Sequence, residues 1–127
     1  MYPTIDSNAA KYWIFPSKIS QRKYQLDICK SALEKNTLVC LPTGLGKTLI
    51  AAVVMYNYYH YYPEGKIVFM APTKPLVCQQ IKACHDITQI PNEEIAHLEG
   101  TVPVEERMEL WRNCRLFFCT PQTFSND

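Results

Sequence analysis

The run Leu41-Pro42-Thr43-Gly44-Leu45-Gly46-Lys47-Thr48 decides how the rest of the chain is read. Strand-forming residues, Thr37 to Leu41, lead into it, and a long apolar segment, Leu49 to Tyr56, leads out. A strand, a glycine loop and then Lys-Thr at the mouth of a helix is the context that makes a short motif a phosphate cradle. The two glycines let backbone N–H groups turn toward an anion with no Cβ in the way. A helix starting near Lys47 adds its positive end. In that setting Lys47 reaches the terminal phosphates and the Thr48 hydroxyl ligates Mg²⁺. The stretch therefore reads as a nucleoside triphosphate site; the plainer alternative is a tight strand-to-helix turn with a solvated lysine.

Bulk properties constrain the rest. A chain of 127 residues that is 47% hydrophobic buries one modest core. The net charge of +1 gives no basic tail, so any nucleic-acid contact must come from a local face. The six cysteines form no CxxC pair and fall mostly in apolar patterns, which reads as buried, reduced thiols rather than a zinc site. The longest apolar runs are far short of the roughly 18 residues that span a bilayer.

Working outward, residues 1–11 read as a flexible tail, and Tyr12 to Pro16 as an aromatic cluster that packs the tail onto the core or walls a base pocket. Ser20 is placed to cap a helix running to about Lys35, with Leu26, Cys29, Ala32 and Leu33 on one face. Arg22, Tyr24 and Gln25 sit at its start; a glutamine amide can pair with adenine and an arginine plane can stack on a base. Thr37 to Leu41 is expected as a buried strand, and Lys47 to about Tyr62 as a helix whose five tyrosines mix core and rim packing. Lys66 to Ala71 is a second strand, followed by a helix from Pro75 to about Thr88. Glu94 to Leu98 is a weaker strand; a short helix with Val104, Met108 and Trp111 on one face follows. Arg115 to Cys119 is the fourth strand. Strands alternating with helices predict a parallel sheet with helices on both faces. The groups at 43–48, 73–74, 100–101 and 120–121 all follow strands and should gather along one sheet edge.

Together these motifs resemble superfamily 2 helicases. Arg22, Tyr24 and Gln25 look like the Q motif, Pro42 to Thr48 like motif I, and Ala71 to Val77 with Gln79-Gln80 like motif Ia. Gly100-Thr101 stands where motif Ic would be, and Thr120-Pro121-Gln122 resembles motif Ib. More narrowly, the stretches NTLVCLPTGLGKTLIAAVVMYNYY and GKIVFMAPTKPLVCQQI are similar to the Fanconi anaemia group M / Hef family of DNA translocases. The resemblance implies a RecA-like P-loop NTPase fold, with residues 12–127 as the N-terminal part of the first motor domain. It implies ATP and Mg²⁺ as cofactors. Adenine would be held by Arg22 and Gln25. The phosphates would be held by Pro42, Thr43, Gly44, Leu45, Gly46, Lys47 and Thr48, with Thr48 on the metal and Lys47 and Thr48 as the catalytic pair. The DNA backbone, branched or single-stranded, would lie on Thr73, Lys74, Gly100, Thr101, Thr120 and Pro121. The family further implies DNA-repair partners and a nuclear location, and the short apolar runs lead us to expect no membrane partner. The acidic DEAH-type motif II does not occur in the 127 residues, so they are expected to bind ATP without hydrolysing it at an enzyme's rate. An RNA-dependent helicase of the RIG-I or Dicer type, or a nucleotide-binding module without motor activity, are the competing expectations. An incomplete sheet would also leave an open apolar edge.

Overall fold

The structure is a computed structural model that describes residues 2–41 and 46–127. Helices α1 (Lys23–Glu34), α2 (Lys47–Tyr61), α3 (Lys74–Thr88), α4 (Val104–Asn113) and α5 (Pro121–Asn126) alternate with strands β1 (Ile67–Met70), β2 (Ile95–His97) and β3 (Leu116–Cys119). The sheet is parallel, in the order β1-β3-β2, with Ile67 and Ile95 both opposite Leu116. The α/β expectation is borne out.

Period-2 alternation along β3 divides the core between two faces. Leu116 and Phe118 point to one face, where they meet Met55 of α2, Val77 and Cys84 of α3, and Ile67 and Phe69 of β1. Phe117 and Cys119 point to the other, against Leu110 and Trp111 of α4. The Trp111 ring stacks on Phe117 with centroids 4.1 Å apart. All four β3 residues are 0% exposed, as a strand covered on both faces requires. A third cluster lies outside α2, where Cys29 of α1, Leu49, Ile50 and Val53 hold Trp13, Phe15, Val39 and Leu41.

Four expectations are corrected. Thr37 to Leu41 is not a buried strand: none of it is paired, and Leu38 is 88% exposed. Strand-forming residues make a strand only beside a partner edge, and among the described residues none lies next to them. Val39 and Leu41 dock on the α1–α2 cluster instead. Ser20 does not cap α1, which starts at Lys23 with Arg22 at the N-cap and no capping side chain. On α4, Val104 and Met108 face solvent at 55% and 50% exposure, while Arg107 is turned inward. Its buried position is held by a carboxylate partner, which an apolar-periodicity reading does not see. Finally, Cys40 and Cys78 are exposed; Cys29, Cys84, Cys114 and Cys119 are the buried thiols, and all six are free.

The N-terminal segment is tied to α2. The Asp6 N–H donates to the Tyr61 carbonyl at 2.6 Å. Buried Asn57 clamps Ile14 from both sides: its Oδ1 accepts from the Ile14 N–H at 2.7 Å and its Nδ2 donates to the Ile14 carbonyl at 2.9 Å. The α2 tyrosines pack and cap: the Tyr58 hydroxyl donates to the Leu33 carbonyl, Tyr59 to Glu94, and Tyr61 to the Tyr12 carbonyl. No helix among the described residues is long and apolar enough to cross a membrane.

Candidate functional site

The N-terminus of α2 carries the first half of the site. Gly46 is its N-cap at φ 96°, a left-handed conformation open to glycine and strained for other residues. The first intrahelical bond runs from the Ile50 N–H to the Gly46 carbonyl at 3.0 Å. The N–H groups of Lys47, Thr48 and Leu49 therefore have no intrahelical acceptor, and among the described residues no side chain caps them. Lys47 is exposed and in no ion pair among the described residues. Pro42, Thr43, Gly44 and Leu45 lie outside the described residues.

Gln25 of α1 is packed against this helix end. It is 6% exposed, and a Cβ built on Gly46 would stand 2.4 Å from its Nε2. Its Oε1 is buried with no hydrogen-bond partner among the described residues. An orphaned buried acceptor is costly and rare, and it marks a place where a donor from outside the chain fits. Arg22 is exposed at the N-cap of α1, its carbonyl accepting from the Gln25 N–H at 3.0 Å. Uncapped amides, a free lysine, a hydroxyl, a glycine that leaves no side chain in the way and an unpaired glutamine acceptor together suit an adenine nucleotide. Lys47 and the amides would take phosphate, Thr48 the Mg²⁺ and Gln25 the base.

The second half lies at the C-terminal ends of the strands. Thr73 is the N-cap of α3 and Lys74 its first residue, both exposed. Lys74 Nζ lies 3.2 Å from Glu99 Oε2, at the end of β2. The Thr101 hydroxyl donates to the same oxygen at 3.3 Å, and His97 Nδ1 lies 3.4 Å from Glu99 Oε1. The hydrogen bond and charge of Lys74 hold the Glu99 carboxyl below its ordinary value of 4.5. Thr120 caps α5 by accepting from the Thr123 N–H at 3.4 Å. The Thr123 hydroxyl lies 4.0 Å from where a Gly100 Cβ would be, which brings the 100–101 and 120–123 turns together. Pro121 is exposed at the first position of α5. So Lys74, Gly100, Thr101 and Thr120 share one edge, as the parallel topology predicts. No hydrogen bond or ion pair among the described residues joins Lys47 or Thr48 to it.

Sequence reasoning missed what braces this edge. Arg107 is 7% exposed and donates from Nε to Asp127 Oδ1 at 2.9 Å and from Nη1 to the Val102 carbonyl. Trp111 Nε1 donates to Asp127 Oδ2 at 3.1 Å. Burial works to raise the Asp127 pKa, but the Arg107 and Trp111 hydrogen bonds and the Arg107 charge outweigh it and hold it below 3.8. No local pattern signals this brace, because Arg107 and Asp127 lie 20 residues apart in the sequence.

A cavity of about 640 Å³ opens between the 14–19 segment and the C-terminal end of α3. Ile14, Phe15 and Pro16 line it, and neither Lys47 nor Gln25 does.

The DEAD/DEAH box helicase profile matches residues 22–127, a span that takes in Gln25, Lys47 and the strand-end turns. The chain belongs to the DEAD/DEAH box helicase family. It is 58% identical over 115 residues to the DEAD-box ATP-dependent DNA helicase Fancm of Drosophila melanogaster, covering 91% of this chain and 8% of that protein. It is 56% identical over 125 residues to the DEAD-box ATP-dependent RNA helicase FANCM of Arabidopsis thaliana, covering 97% and 9%. Its fold superposes on the Pyrococcus furiosus Hef helicase domain with a TM-score of 0.80 at 38% identity, covering 90% of this chain and 24% of that one. The resemblance to the Fanconi anaemia group M and Hef proteins is thus borne out. The chain spans less than a tenth of the length of the two relatives.

Proposed function

We propose that this chain is the ATP-binding part of a DEAD/DEAH box helicase motor that works on DNA, and that its 127 residues bind Mg²⁺-ATP without turning it over. The observation that carries the reading is the α2 N-terminus, where, among the described residues, the first amides have no cap, Lys47 has no ion pair, and the buried Gln25 Oε1 set against Gly46 has no partner. Bound ATP with its metal would supply a phosphoanhydride whose cleavage drives conformational change. For the chain itself the roles are more limited. Backbone amides and Lys47 bind phosphate charge, and Thr48 presents a hydroxyl to the metal. Gln25 orients the base. No DEAH-type sequence occurs in these residues to hold an attacking water, so binding and turnover separate.

The DNA backbone is assigned to Thr73, Lys74, Gly100, Thr101, Thr120 and Pro121. These are hydroxyls, turn amides and one lysine, a set suited to phosphates rather than base edges. Branched DNA, repair partners and a nuclear setting are the corresponding proposals for the larger protein. RNA is the second reading, favoured by the name of the Arabidopsis relative.

Calorimetry of Mg²⁺-ATP binding to the chain, beside Lys47→Ala and Gln25→Ala, tests the first proposal. Circular dichroism checks that each variant is folded. Binding lost in both folded variants is the expected result. A folded wild-type chain that binds no ATP, or a Lys47→Ala variant that binds it as well as wild type, would overturn the assignment. Competition between single-stranded DNA and RNA of the same length separates the two nucleic-acid readings.

A further inference from the structure

Glu99 stands in the middle of the edge assigned to the DNA backbone, although its charge is the wrong sign for that edge. One of its oxygens takes both the Lys74 ammonium, at 3.2 Å, and the Thr101 hydroxyl, at 3.3 Å. The other faces His97 Nδ1 at 3.4 Å. The carboxylate thus receives the donors of two segments, the turn after β2 and the start of α3, with the His97 ring of β2 beside it. These are the donors a phosphate would need. Lys74 and Glu99 side chains remain 55% and 31% exposed, so the pair sits at the surface, where an exchange of partners is open to solvent. The lowered pKa of Glu99 keeps it ionised through the neutral range.

We propose that Glu99 is a resident competitor for nucleic-acid phosphate: it occupies Lys74 and Thr101 in the free chain and must be displaced when a strand binds. This rests on the reading of Lys74 and Thr101 as backbone contacts. Two consequences distinguish it from a merely structural glutamate. Lys74 is already neutralised inside the protein, so its docking on a phosphate releases less counterion than a free lysine would. The displaced carboxylate also stays close to the strand it has yielded to. Glu99 therefore lowers both the affinity and the salt sensitivity of this edge. It tunes how readily the chain lets go of a strand.

The test uses the 127-residue chain and a fluorescein-labelled oligothymidylate, with anisotropy titrations across a series of KCl concentrations. Glu99→Gln keeps the length and the hydrogen bond to Thr101 but removes the charge, and Glu99→Ser serves as a second charge-free variant. The expected result is binding tighter by about two- to fivefold at low salt, the range a single exposed ion pair spans. The slope of log K against log salt should steepen by about 0.7, one additional phosphate contact on a single strand. The slope change should vanish, and the gain in affinity shrink, when Lys74→Ala is added. If Lys74→Ala weakens binding but Glu99→Gln and Glu99→Ser leave the slope unchanged, the backbone reading stands and the competitor role is overturned. If Lys74→Ala binds like wild type, the assignment of Lys74 fails and the competitor role falls with it. The same holds if neither wild type nor Glu99→Gln binds the strand at the lowest salt.

Discussion

Replacing Gly46 with alanine tests the joint between α1 and α2 on which the nucleotide reading depends. Two separate costs are built into the position. The backbone sits at φ 96° and ψ 26°, where a Cβ is strained by about 1–2 kcal/mol. The same Cβ would stand 2.4 Å from Gln25 Nε2, a contact no real Cβ tolerates. Gln25 is a flexible side chain, but at 6% exposure it has little room to swing. Pushing it off its rotamer costs about 0.5–1.5 kcal/mol more. Gly46→Ala should therefore destabilise the chain by about 2–3 kcal/mol in urea denaturation, with the slope unchanged. A double-mutant cycle divides the total. In a Gln25→Ala background the collision is gone and only the backbone cost remains, so the two substitutions should couple by about 0.5–1.5 kcal/mol. Coupling near zero would refute the packing of Gln25 on Gly46. A Gly46→Ala chain as stable as wild type would refute the left-handed N-cap as well.

Asn57→Ala should cost about 2–4 kcal/mol by urea denaturation, because it strips both backbone partners of Ile14 in a partly buried site; a loss under 0.5 kcal/mol would mean that the 12–16 segment is not docked there. Asp127 has a folded pKa held below 3.8, so its contribution is complete above that value and is lost as pH falls below it. The stability difference between wild type and Asp127→Asn should thus shrink as pH falls below about 4, whereas a constant difference would contradict the Arg107 pairing. Alkylation with iodoacetamide, followed by mass spectrometry, should label Cys40 and Cys78 first. Cys29, whose thiol burial pushes up to about 11, should react only on unfolding.

The legible parts of the sequence were those where local chemistry decides. The Lys-Thr after paired glycines marked the start of α2, and Val77 with Cys84 marked the buried face of α3, because helix periodicity survives any tertiary arrangement. The strand-following turns at 73–74, 100–101 and 120–121 were legible because parallel topology sends every strand end to one side. What failed depended on partners far along the chain. Thr37 to Leu41 has strand-forming residues and, among the described residues, no neighbour to pair with. Arg107 reads as a solvated charge until Asp127 is brought beside it, and Val104 and Met108 then lose the inward face. Glu99 was invisible for the same reason: nothing local says that Lys74 will lie 3.2 Å away.

The placement of β3 has a consequence for the order in which the molecule can be made. It follows β1 and β2 in the sequence yet lies between them in the sheet, and among the described residues β1 and β2 pair only with it. A chain emerging from the ribosome therefore displays Ile67–Met70 and Ile95–His97 before either has an edge to join. The helices can form at once from local contacts, while the sheet waits for Leu116–Cys119 and then closes across both sides together. Until that strand has left the exit tunnel, two apolar segments stand unpaired. That interval, rather than any single contact, is where a nascent chain of this design is most exposed to aggregation and most dependent on chaperones.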